Sequence, residues 1–145
     1  MISESSICDF KKKFFEIYGI DFIDGFSLFQ SSLNVVKYGN FELYDNYGDE
    51  DIYEEIPILK ELFNKDNVIY MYTDHAYYES NIFILKSNEI KDFIKNFPLD
   101  IFSNNPFFIN FDSDIAFGYC LEGDKLDSGI FFQLNLKHLR KRNTL

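Results

Sequence analysis

Residues 107–136 read FFINFDSDIAFGYCLEGDKLDSGIFFQLNL. Three apolar runs, Phe107–Phe111, Ile115–Leu121 and Gly129–Leu136, are rich in aromatic and β-branched residues and separated by Asp- and Gly-bearing breaks. That pattern predicts three successive strands joined by turns, Asp112-Ser113-Asp114 being one of them. Upstream, Asn67–Thr73 and Asn81–Lys86 read as two more strands, joined by Asp74–Ser80. Neither alternates cleanly between apolar and polar residues, which predicts burial on both faces.

The flanking segments supply helices. From Ser3 to Gly19, residues Ile7, Phe10, Phe14, Ile17 and Tyr18 recur at helical spacing, with Ser3 or Ser6 able to cap the start and Gly19 the end. A second helix is expected over Tyr53–Asn64, with Pro57 in its first turn, and a third from Ser87, bearing Ile90, Phe93, Ile94 and Phe97, until Pro98 stops it. Phe26–Tyr44 reads as a hairpin or meander turning at Tyr38-Gly39-Asn40-Phe41, although Phe26, Phe29 and Leu33 also fit a helical stripe. The sum is a single compact α+β domain over residues 1–136, with about three helices on a mostly antiparallel sheet of about five to seven strands. A basic tail, residues 137–145, follows.

A chain of 145 residues is one domain's worth and can bury an ordinary core without staples. Fourteen Lys and Arg against 24 Asp and Glu leave a net charge of −10, which argues against direct nucleic-acid binding because phosphates require clustered cations. Met1–Phe15 lacks the apolar core of a secretory signal, and no window approaches the roughly 18 apolar residues of a membrane span, so a cytoplasmic protein with no membrane partner is expected. In that compartment Cys8 and Cys120, with no C-x-x-C spacing, are expected to be reduced.

The charge is unevenly distributed. Between Tyr38 and Leu59 there is no Lys or Arg, while Glu42, Asp45, Asp49, Glu50, Asp51, Glu54 and Glu55 bring that segment to −7. Tyr44, Tyr47 and Tyr53 interleave with these acids, and tyrosine supplies rigid amphipathic contact area while charge supplies fast steering. Residues 96–124 form a second cation-free span, carrying five acids, Asp114 among them. Lys137, Arg140, Lys141 and Arg142 place the opposite sign at the end of the chain, so that end is either loosely attached or docks on the acidic face or on an anionic partner.

Catalytic chemistry has no signature here. His75 beside Asp74, with Cys120 as a nucleophile, has no supporting flanking sequence, and no phosphate-binding, dinucleotide-binding, serine-hydrolase or zinc-protease motif is present. The dense carboxylates of residues 45–51 miss the alternate-position pattern of a calcium loop, and two Cys and two His lack zinc spacing. The expectation is a protein that is not an enzyme and binds neither metal nor cofactor.

In style, Asn67–Asp74, and Phe111–Asp114 through Gly129–Leu134, resemble the small immunity proteins that accompany bacterial polymorphic and contact-dependent growth inhibition toxins. That resemblance implies stoichiometric occlusion of a cognate protein toxin, cationic and plausibly a nuclease. Glu42, Tyr44, Asp45, Tyr47, Asp49, Glu50, Asp51, Tyr53, Glu54 and Glu55 are the candidate contact residues. An acidic nucleic-acid mimic or adaptor of a mobile element, binding a host enzyme, is the alternative.

Overall fold

The computed structural model describes residues 3–31, 34–42, 68–77, 80–86, 89–90, 92, 104–121 and 128–140. Seven strands form one sheet: β1 (Ser3–Ser5), β2 (Val35–Glu42), β3 (Val68–Tyr77), β4 (Ser80–Lys86), β5 (Phe107–Asn110), β6 (Ile115–Leu121) and β7 (Ser128–Asn135). Their order is β1-β4-β3-β5-β6-β7-β2, and every neighbouring pair is antiparallel. Among the described residues α1 (Ile7–Tyr18) and α2 (Gly25–Gln30) accompany it, so the chain is α+β.

Register explains the sheet's two chemistries. Ile84, Tyr70, Ile109, Ala116, Leu134 and Val35 lie in one row across six strands, and Ile82, Tyr72, Phe107, Gly118, Phe132 and Tyr38 lie in another on the same face. Against that face α1 lays Phe10, Phe14 and Tyr18, all buried, as its 3.6-residue period requires. Phe22 fills the corner, its ring centroid 5.1 Å from Phe10, 5.2 Å from Phe107 and 5.0 Å from Tyr72. The intervening row, Phe83, Met71, Phe108, Phe117 and Gln133, faces the other way and is buried too. Burial on both faces is therefore what removed the alternation from β3 and β4.

The first helix begins at Ile7, the first residue of its stripe, and so later than the Ser3 start of the expected span. Ser6 Oγ accepts the Asp9 N–H at 3.0 Å and sets the N-cap, while Ser3–Ser5 pair with Ile82–Ile84 as a short edge strand rather than a helical turn. Gly19 ends α1 in the left-handed conformation, φ 77°, its N–H bonded to Phe15 O.

Over Phe26–Tyr44 the helical stripe that begins at Phe26 prevails at the start, and the expected turn further on is corrected. Asp24 Oδ1 accepts the Ser27 N–H at 2.7 Å and nucleates α2, and Phe29 stacks on Phe132 with centroids 4.7 Å apart. Beyond it, β2 runs straight through Tyr38–Phe41 because β7 offers an unbroken partner from Ser128 to Gln133. Gly39 is there for space, not for a turn: a Cβ would stand 2.9 Å from the Phe131 ring.

The expected loop Asp74–Ser80 is mostly strand. Tyr77 pairs with Ser80 after a register shift, and Asp74 N–H donates to Asn104 O at 2.9 Å, so both strands run nearly to the turn. Of the three expected helices, the described residues contain only the first in full. Tyr53–Asn64 lies outside the described residues, and of Ser87–Phe97 only Glu89, Ile90 and Asp92 are described, all helical, with Ile90 buried.

Candidate functional site

Of the ten residues expected to carry partner contact, Glu42 is the last residue of β2. Tyr44, Asp45, Tyr47, Asp49, Glu50, Asp51, Tyr53, Glu54 and Glu55 lie outside the described residues. What can be built from the residues upward is the strand that leads into that acidic run. Among the described residues β2 closes one side of the sheet. Val36 is 48 % exposed and Tyr38 71 %, so this edge meets solvent. Beside it the Phe26, Phe29 and Tyr38 rings follow one another at 6.1 and 6.2 Å, an aromatic shelf along the edge.

Asp114 and Arg140 serve structure. Asp114 sits in the β5–β6 turn with φ 61°, a conformation that Asp tolerates better than most residues, and its N–H donates to Asn110 O at 2.9 Å. Asn110 Oδ1 in turn accepts the Asp112 and Ser113 N–H groups. The buried Asp114 carboxylate accepts Tyr18 O–H at 2.8 Å and is forked by Arg140, with Nη2 2.7 Å from Oδ1 and Nε 3.0 Å from Oδ2. Arg140 Nη2 also donates to Phe111 O. After a single 3₁₀ turn at Lys137–Leu139, the chain is thus held to the domain as far as Arg140, by an acid of the second cation-free span. Residues 141–145 lie outside the described residues.

Cys120 lies on β6 and His75 on β3, the His75 side chain being outside those described. Burial first, then the Asp74 and Asp24 charges, push the Cys120 thiol up to about 11, away from the thiolate a nucleophile requires. Asp74 Oδ2 is engaged by Asn105 Nδ2 at 2.7 Å. Among the described residues no three His, Cys, Asp or Glu side chains are grouped to hold a metal ion, and no helix is long and apolar enough to cross a membrane.

Alkali tests the buried hydroxyl. Burial, then the hydrogen bond and charge of Asp114, raise the Tyr18 pKa well above its ordinary 10.0, and Arg140 opposes this only in part. Above about pH 10 the unfolded chain gives up this proton while the folded chain keeps it, so stability is complete below that pH and falls as pH rises. We expect Tyr18 alone to contribute a loss of up to about 1.4 kcal/mol per pH unit there. Urea unfolding between about pH 9 and 11 should show a shallower decline for Tyr18→Phe than for the unaltered chain. Equal declines would contradict the assignment.

No family model, characterised protein or solved structure matches this chain, so function has to be argued from its own chemistry.

Proposed function

We propose that this chain is an immunity protein, which binds and neutralises a cognate cationic toxin by stoichiometric occlusion. The observation that carries the reading is the seven acids without a cation between Tyr38 and Leu59, a run whose first acid, Glu42, is the last residue of β2, the strand that bears the exposed Val36 and Tyr38. Clustered carboxylates steer a basic partner into encounter, and the interleaved tyrosines supply contact area once it arrives. A toxin that itself handles nucleic acid has a phosphate-attracting cleft, and such a cleft attracts an acidic surface equally well.

Charge reversal tests the reading. The triple variant Asp49→Lys, Glu50→Lys, Asp51→Lys takes the segment from −7 to −1, because three acids become three bases. With the basic protein that co-purifies, we expect its association rate at low salt to fall at least about tenfold and to lose most of its salt dependence. An unchanged rate and salt dependence would contradict recognition through this segment.

A further inference from the structure

We infer that the outer edge of β2 is a docking site for an extended cationic segment of a partner protein, which joins the sheet as a further strand. The inference rests on the partner-binding reading above and gives it a mode. Backbone direction comes first. Asn135 N–H donates to Asn34 O at 3.0 Å, whereas Leu136 N–H donates the other way, to Asp114 O at 2.8 Å. The β6–β7 ladder is regular from Ile115–Asn135 to Leu121–Gly129, so Gln133, Phe131 and Gly129 of β7 also turn their peptide groups towards β2. Their partners Lys37, Gly39 and Phe41 answer them. The N–H and C=O groups of Tyr38, Asn40 and Glu42 then point away from β7, to the side of β2 on which no strand pairs among the described residues, a hydrogen-bonding template of three residues on a regular stretch.

The register shift in β2 lies between Val35 and Lys37, so it leaves that stretch intact. Tyr38 and the Phe26–Phe29 shelf offer apolar contact on one face of an added strand.

Charge decides which occupant fits. A second copy would bring two chains of net −10 together through their acid-rich segments. Asp45 is three residues past Glu42 and so within about 11 Å of it along the chain, close to one Debye length at physiological salt. Self-pairing is opposed by that repulsion, and a strand rich in Lys or Arg is favoured by the same field.

The probe is an acetylated, amidated octapeptide of alternating Lys and Val, added to the full chain while amide hydrogen exchange is followed residue by residue. At ~1 mM peptide, exchange at Tyr38, Asn40 and Glu42 should slow at least about tenfold, and that at Lys37, Gly39 and Phe41, already bonded to β7, should change little. Asn40→Pro removes one outward donor and leaves the β7 ladder whole, so it should fold normally and lose at least about tenfold in peptide affinity. No selective slowing, equal slowing by a Glu/Val octapeptide, or slowing caused by self-association without peptide would each overturn the inference. Slowed exchange without any single basic protein retained from the host would leave the docking edge standing and remove the toxin reading. A basic protein bound one-to-one by Asn40→Pro as tightly as by the unaltered chain would do the reverse.

Discussion

Phe14→Ala should cost about 3–5 kcal/mol of folding stability, the range for truncating a fully buried phenylalanine. Phe14 has no exposed surface and touches three other rings, with centroids 6.3 Å from Phe10, 4.9 Å from Tyr18 and 5.4 Å from Phe22. Those rings come from the same helix and the turn after it, and all are clamped against the sheet, so the site has little freedom to collapse into the space left behind. Against a total stability of about 5–15 kcal/mol, the loss lowers the melting temperature by roughly 10 °C. Phe15→Ala, one residue on and 45 % exposed, should cost clearly less, about 1–2 kcal/mol. Chemical denaturation of both variants checks the pair, and similar losses would mean that α1 does not present the face described.

Asp114→Ala should cost about 2–3 kcal/mol. It orphans the buried Tyr18 hydroxyl, strips Arg140 of its carboxylate, and removes a residue suited to φ 61°. The full 3–5 kcal/mol typical of breaking a buried ion pair is not expected, because the Arg140 side chain is 43 % exposed and water can take over part of the lost hydrogen bonding. Arg140→Met alone should cost less, about 1 kcal/mol, since Asp114 keeps Tyr18. In the double variant Asp114→Ala, Arg140→Met the two losses should fail to add by about 1 kcal/mol. Urea unfolding of the three proteins measures this directly. Strict additivity would show that the C-terminal segment is not fastened through this pair.

Strands β5, β6 and β7 were legible because apolar runs and Asp- or Gly-bearing breaks coincide with the ladder almost residue for residue. The face of α1 was legible for the same reason, periodicity being set by local geometry. The course of β2 was not. Tyr38-Gly39-Asn40-Phe41 has turn composition, and only the distant β7 and the Phe131 ring explain why a glycine belongs in a continuous strand. Helix α2 is six residues long, too short for a stripe to separate it from a strand, but Asp24 three residues before Ser27 is a capping signal that could have been read. The Asp114–Arg140 pair spans 26 residues and leaves no sequence pattern, because ion pairs have no fixed spacing. For the proposed interaction surface, composition marked the acidic segment, while the terminal place of β2 among the described strands emerged only from strand order, a tertiary property.

The most direct test of the central claim is to express the tagged chain in its native host and weigh what stays bound at ~150 mM and then at ~500 mM salt, where screening strips loose charge-driven binders but spares well-packed complexes. Stoichiometric occlusion predicts one basic protein, retained one-to-one through the high-salt wash and harmful to cells that lack this chain. Recovery of nothing, or of a salt-sensitive mixture without fixed stoichiometry, would contradict it.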